Sequence, residues 1–379
     1  MISVHWFLPT AGDSRDIVAS GEDGHRRPPS IDYLAQVARA AEQLGFEGAL
    51  TPTGTWCEDA WISTAALIRE TQRLKFLVAF RPGSISPTLA AQQAATFQRI
   101  SGGRLLLNVV TGGDPTEQQR FGDFLDHDQR YERCDDFLSI LRGAWSGTPF
   151  DHEGAHLSVR GATVQQAPDP IPQIYFGGAS ASAELVAARH ADVYLAWGEP
   201  PEMVAERVER MRKLAAEEGR ELRFGIRLHV ITRDVADDAW AETRRLLAAM
   251  DPEAVAAAQA GFEKTQSVGQ QRMASLHGGD PERLEVAPNL WAGPGLVRGG
   301  AGTALVGSHD EVADRIAEYH AVGFDEFILS GHPHLEEAYW VGEGLLPVLR
   351  ARGLLTDGPT SPWTDDRGRP AHLTASAAR

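Results

Sequence analysis

The chain has 379 residues, 42% of them hydrophobic and 23% charged, with a formal net charge of −16. That profile fits a soluble globular protein with a substantial core, as two ordinary domains or one large α/β domain, and its acidity argues against nucleic acid or an anionic membrane surface as partner. Two cysteines, Cys57 and Cys134, exclude a disulfide framework or a thiolate metal cluster. With no basic leader and no apolar run approaching the ~20 residues of a membrane span, the expected address is the bacterial cytoplasm.

Short apolar runs alternate with amphipathic stretches almost throughout. Strand-like runs are predicted at residues 4–8, 48–51, 75–80, 105–110, 173–176, 192–196, 223–231 and 326–329. Helical patterns lie between them, at 31–44, 59–70, 88–100, 130–145, 182–190, 201–218 and 310–322, the first with Ser30 as N-cap and Gly45 as stop. Eight strand–helix units predict a (β/α)8 TIM barrel, an α/β fold whose chemistry gathers at the carboxyl ends of the strands. Residues 150–159 read as a small hairpin. Residues 239–302 read as an insertion between strands seven and eight that begins helical and ends in a glycine-rich loop. No linker divides the barrel, so residues 1–355 are expected to be one domain, followed by a flexible Pro-, Gly-, Thr- and Asp-rich tail over 356–379.

The segment Phe224-Gly-Ile-Arg-Leu-His-Val230 is the most informative. Period two puts Phe224, Ile226, Leu228 and Val230 on one face and Arg227 and His229 on the other. A guanidinium on an inward face needs an anion, and two basic groups sharing that face suit a ligand pocket better than one structural ion pair. Other strand ends add to it. Strand five runs into Gly177-Gly178-Ala179-Ser180 and then a helix, an arrangement that presents amide donors and a helix dipole to a phosphate. Strand four leads into Asn108-Val-Val-Thr111-Gly-Gly-Asp114, whose small residues allow close approach of a ligand. Cys57 precedes a helix, which leaves open whether its sulfur is reactive or an inert pocket wall. The stretch from Trp291 to Thr303 reads as a lid loop carrying Arg298, hinged at Gly295, Gly299, Gly300 and Gly302. Strand eight ends in Ser330-Gly-His332-Pro-His334-Leu-Glu336-Glu337; no second His and Asp cluster accompanies it, so no metal is expected.

Several segments together closely resemble the FMNH2-dependent alkanesulfonate monooxygenases of the bacterial-luciferase-like flavin superfamily. They are Trp6-Phe-Leu-Pro-Thr10, Cys57-Glu-Asp-Ala-Trp61, Thr71-Gln-Arg-Leu-Lys-Phe-Leu-Val78, Phe176-Gly-Gly178, Trp197-Gly-Glu-Pro-Pro201, Gly225-Ile-Arg-Leu-His-Val230, Asn289-Leu-Trp-Ala292 and Leu296-Val-Arg-Gly-Gly-Ala-Gly-Thr-Ala-Leu-Val-Gly307. The resemblance runs from about Ile2 to about Leu349. It implies a luciferase-like barrel, FMN used as FMNH2 and supplied by a separate NAD(P)H-dependent FMN reductase, and O2 as cosubstrate. It also implies an anionic organosulfonate substrate cleaved at its C–S bond to an aldehyde and sulfite, and a homo-oligomer, dimer or tetramer.

By the same resemblance Gly178 and Ser180, with His127 and Tyr131, lie at the flavin phosphate, and Asn108 and Thr111 beside the ring system. Arg227, His229, Trp197 and Arg298 match the environment of the sulfonate and the reacting oxygen, and Cys57 matches the active-site cysteine. Departures cluster around the substrate. Ala11 and Thr55-Trp56 replace His and Arg-Ser of the family, and His332 replaces Tyr. Trp56 is expected to fill part of the substrate pocket. His332 is expected to donate a proton, with activity following an imidazole near neutral pH instead of a phenol. These changes keep open a different organosulfur or natural-product substrate, and, further off, deazaflavin-dependent hydride transfer or a non-catalytic flavin carrier.

Overall fold

Eight parallel strands close on themselves: Ser3–Phe7, Gly48–Thr51, Lys75–Phe80, Leu105–Val109, Ile174–Gly177, Val193–Trp197, Arg223–Arg233 and Glu326–Ser330. The computed structural model describes residues 1–18 and 26–355. Each strand pairs with the next, and strand eight returns to strand one through Ser3↔Glu326, Val4↔Phe327 and His5↔Ile328. The (β/α)8 barrel expected from the alternation is formed, with strand ends displaced by no more than one or two residues.

Local signals explain the helices. Ile31–Leu44 starts where the Ser30 hydroxyl accepts from the Tyr33 amide and stops at Gly45, whose φ of 93° suits glycine. The helix before strand five begins at His127, three residues earlier than its apolar pattern suggests, because Asp126 and Gln129 form a reciprocal capping box. That early start puts His127 and Tyr131 on its first turns, facing the strand ends.

Strand alternation splits the core into two layers. Phe224, Ile226, Leu228 and Val230 join the apolar layer between sheet and helices. The barrel interior is filled by Phe7, Leu50, Leu77, Leu106, Tyr175, Val193 and Ile328. Its amino end is sealed by Glu326, which is 2% exposed, accepts from the Tyr175 hydroxyl at 2.8 Å, and pairs with His5 at 2.8 Å and with Arg223. Burial alone pushes this carboxyl up, but His5 and Arg223 outweigh it and hold the pKa at about 2. The amino end of the barrel is thereby closed to a ligand.

The insertion is more structured than its sequence suggests. It contains the helices Ala236–Ala248, Pro252–Phe262 and Val268–His277 and the short strands Glu285–Ala287 and Leu290–Trp291. A further strand, Ala304–Ser308, pairs in parallel with the far half of strand seven, from Ala304↔His229 to Ser308↔Arg233. Strand seven overshoots the barrel, and its exposed edge recruits these strands. Glu285–Ala287 and Leu290–Trp291 are too short to show a readable period. The expected hairpin is present as Phe150–Glu153 with Ser158–Ala162. The tail over 356–379 lies outside the described residues. No helix among the described residues is long and apolar enough to cross a membrane.

Candidate active site

A cavity opens at the carboxyl ends of the strands. Asn108, Thr111, His127, Tyr131, Gly178 and Ser180 all line it, and so do Trp197 and Arg227. On one wall Ser180 caps the helix Ala181–His190, accepting from the Ala183 amide at 3.2 Å. Gly178 makes the turn passable: a Cβ there would lie 2.5 Å from the Ala183 Cβ and 3.2 Å from the Tyr131 hydroxyl. Burial raises the pKa of the Tyr131 hydroxyl, opposed by the neighbouring Thr111 and Ser180 side chains. A glycine turn, a hydroxyl cap and a helix N-terminus are thus directed at one space, as an anion site requires.

The opposite wall comes from the insertion, where Ser267, Val268 and Gly269 begin the helix Val268–His277. It is docked by the Gln266 amide on the Gly113 carbonyl at 3.2 Å and by Arg130 on the Gln266 side chain at 3.1 Å. Gly269 is small because the Trp197 ring lies 2.9 Å from where its Cβ would stand. Nothing in the local sequence links Ser267 to strand four, so this roof was not foreseen.

Arg227 projects from strand seven over the Phe7 ring, 4.8 Å from its centroid. Its Nη1 donates to the carbonyls of Leu228 at 2.5 Å and Ile328 at 3.3 Å, and its Nη2 donates to Ser330 Oγ at 2.7 Å. Every one of these acceptors is neutral. Burial, and then the charge of Arg298, lower its pKa to about 9, so it remains a cation at neutral pH. Arg298 donates to His332 Nε2 at 3.1 Å, and neither arginine makes a salt bridge among the described residues. By contrast, Arg207 at the cavity wall pairs with Glu199 at 2.6 Å, a carboxylate it shares with Arg272, and Arg233 pairs with Glu337 at 2.6 Å.

His229 stacks on His332, with centroids 5.6 Å apart, and His332 meets His334 edge-on at 5.0 Å. Burial leads in holding His229 and His332 well below the usual imidazole range, reinforced by the surrounding cations. Behind them Asp13, 3% exposed, accepts from the His334 ring at 2.9 Å, the His334 amide at 2.8 Å and the Tyr33 hydroxyl. Burial opposes its ionisation, but His334 and Tyr33 prevail and keep it a carboxylate. Arg27 links Tyr33, at 3.2 Å, to Glu336. Asp13, Tyr33 and Ser330 were missed from sequence. Asp13 stands three residues beyond the Trp6–Thr10 motif and Ser330 opens the His332 motif, so proximity to those motifs was the available signal.

The residues around strand two and the lid loop take the following places. Trp56 is 53% exposed and, with Ala11, Arg26, Thr55 and Cys57, borders a second mouth beside the cavity that Arg227 lines. The helix after Cys57 is capped by Asp59, and the thiol donates to the carbonyls of Gly54 at 3.6 Å and Pro52 at 3.7 Å. Burial raises its pKa to about 11, so the sulfur is a neutral pocket wall. The glycines near Arg298 serve packing more than hinging: a Cβ on Gly302 would reach Gly295 Cα at 2.8 Å, and Gly295 N–H bonds the Gly302 carbonyl at 2.9 Å. Among these glycines only Gly300, at φ 92°, needs a left-handed backbone.

The acidic groups of the strand-eight motif are separated as well, Glu336 to Arg27 and Glu337 to Arg233. Asp13, His332 and His334 do place ligand-type atoms within 4.8 Å of one another. Within this group Arg298 donates to His332 Nε2 and both Asp13 oxygens accept hydrogen bonds, while His334 Nε2 is buried without a hydrogen-bond partner.

A riboflavin lyase, solved with a modified FMN and its substrate riboflavin, superposes with a TM-score of 0.81 at 22% identity, over 96% of this chain and 94% of that one. A long-chain alkane monooxygenase gives 0.77 at 19% identity, over 94% and 92%. An EDTA monooxygenase from Chelativorans sp. gives 0.73 at 19%, over 94% and 95%. At these identities the likeness is one of fold. The family model of the luciferase-like monooxygenases matches residues 2–326, most of the chain and every barrel strand up to the start of the eighth, and the chain belongs to that family.

Proposed function

We propose that the protein is a two-component monooxygenase that uses FMNH2 and O2 to oxygenate a small organosulfonate, releasing an aldehyde and sulfite. The observation that carries this reading is Arg227, a buried guanidinium lining the cavity with only neutral hydrogen-bond partners and with a second cation, Arg298, near it. A buried cation without a counter-charge is costly, so an anionic ligand is the missing partner. A sulfonate supplies three acceptor oxygens and stays ionised at any working pH. The alkanesulfonate-monooxygenase motifs, Gly225 to Val230 and Leu296 to Gly307, are the ones that carry both arginines.

The residues fit a reduced FMN. Gly178, Ser180, Tyr131 and His127 would hold its phosphate, and Asn108, Thr111 and Trp197 would face its ring. When bound, the flavin supplies two electrons to O2, so that one oxygen atom ends in the aldehyde and the other in water. Arg227 binds the sulfonate and stabilises negative charge as it develops, without being consumed as an acid. Arg298 closes the cation pair from the insertion side. His332 presents a proton to the same space. The roof of Ser267 to Gly269 excludes water. FMNH2 comes from a separate NAD(P)H-dependent reductase.

The test is a screen of alkanesulfonates with a reductase, NAD(P)H, FMN and air, scoring sulfite. Sulfite release that needs both O2 and Arg227 is the expected result. Turnover of a substrate without O2, or none with any sulfonate, sinks the proposal.

A further inference from the structure

Ser330, the last residue of strand eight, is the register partner of His229 on strand seven. Its Oγ lies 2.9 Å from His229 Nδ1 and 2.7 Å from Arg227 Nη2. The other ring nitrogen of His229, Nε2, lies 3.1 Å from the Ala301 carbonyl. Donor chemistry gives every one of these contacts a direction. A guanidinium has no acceptor, so Arg227 donates to Ser330. A carbonyl has no proton, so His229 Nε2–H donates to Ala301. The Ser330 hydroxyl then has one proton left to place, and it goes to the bare Nδ1 of a neutral imidazole.

We infer that Ser330 and His229 are positioning residues forming a one-way hydrogen-bond chain from Arg227 to the Ala301 carbonyl, and that the single ring proton of His229 is committed to that chain and not offered to substrate. The chain does two things. It fixes the azimuth of the Arg227 fork, whose other arm is held by the Leu228 and Ile328 carbonyls. It also ties the segment carrying Arg298 to strand seven, beside the backbone bond from His229 N–H to the Thr303 carbonyl at 2.8 Å. The two cations of the anion site are therefore set relative to each other through His229. A second proton on His229 would turn Nδ1 into a donor facing the Ser330 hydroxyl, whose own proton would have no acceptor. The groups around the ring all oppose that proton: it is buried, and Arg227, His332, Arg298 and His334 face it.

The inference rests on the proposed anion site only for its kinetic arm. The direct test is a 1H–15N spectrum of the histidine rings of the unmodified protein, with His229 assigned by its loss in His229→Gln. The expected result is the neutral Nε2–H tautomer, unchanged from about pH 6.5 to 9. An Nδ1–H tautomer, or a titration inside that range, overturns the inference. In the kinetic arm, Ser330→Ala should raise KM for octanesulfonate about ten-fold, the loss of one hydrogen bond to a charged group, and leave FMNH2 affinity within about two-fold. An unchanged KM in Ser330→Ala also overturns it. If no sulfonate is turned over by the parent, the substrate reading has failed instead, and the tautomer spectrum alone decides this one.

Discussion

Arg298 donates to Nε2 of His332 across 3.1 Å, and that contact fixes which proton His332 offers. The neutral ring keeps its hydrogen on Nδ1. Burial, with the charges of His334 and Arg298 behind it, holds the imidazole well below its ordinary 6.5. The folded pKa is depressed, so protonation favours the unfolded chain: the stability held by a neutral His332 is complete above about pH 6.5 and is lost as pH falls below it. We expect Tm to be flat above about pH 7 and to drop steadily on the acid side, less steeply in His332→Phe. The acid limb of activity should follow, below the near-neutral midpoint that an ordinary imidazole gives. A midpoint at neutral pH, read in the sulfite assay, contradicts this arrangement.

Removing Arg298 opens the cation pair and frees His332 Nε2. Arg298→Ala should uncouple the reaction, so that reduced flavin and O2 give hydrogen peroxide with little sulfite. The ratio of peroxide to sulfite measures this. A fully coupled variant means that Arg298 does not guard the reacting centre.

Arg227 satisfies two carbonyls and one hydroxyl with two separate nitrogens. Lysine keeps the charge and loses the fork. Arg227→Lys should bind FMNH2 normally and lose on the order of 10²–10³ in turnover. Stopped-flow flavin binding beside the sulfite assay separates the two effects, and a parental rate rules out Arg227 as the stabilising group.

Gly178 sits 2.5 Å, in Cβ terms, from the Ala183 Cβ on the first turn of the capped helix. A single methyl group there should displace that turn. Gly178→Ala is expected to weaken anaerobic FMNH2 binding by about ten-fold or more, as overpacking at a tight contact does, and Gly178→Asp to weaken it further through charge repulsion. Undiminished affinity in both variants would place the phosphate elsewhere.

Period and punctuation made the barrel legible. Eight apolar runs of strand length, separated by capped helices, leave a parallel closed sheet as the economical solution. Alternation within Phe224 to Val230 alone separated the face that packs on helices from the face that carries Arg227 and His229. The turn from Gly177 to Ser180 was equally readable, since its function lies in backbone amides that are contiguous in the chain.

What sequence left undetermined is what lies between elements far apart in the chain. Whether Arg227 meets a carboxylate depends on strand eight, 101 to 103 residues away, and the contacts proved to be carbonyls and a hydroxyl. The hydrogen bonding of His229 depends on Ser330 and Ala301, and that of His334 on Asp13, 321 residues away. The thiol of Cys57 was open on local grounds and is settled by burial. Charge state and hydrogen-bond direction are set by whatever surrounds a group in three dimensions, and a linear pattern carries only the period of its own segment. The sequence thus determined the barrel and the faces of its strands. The tertiary structure decided which of the buried polar groups are paired, which are neutral, and that Arg227 is left facing the cavity without a carboxylate partner.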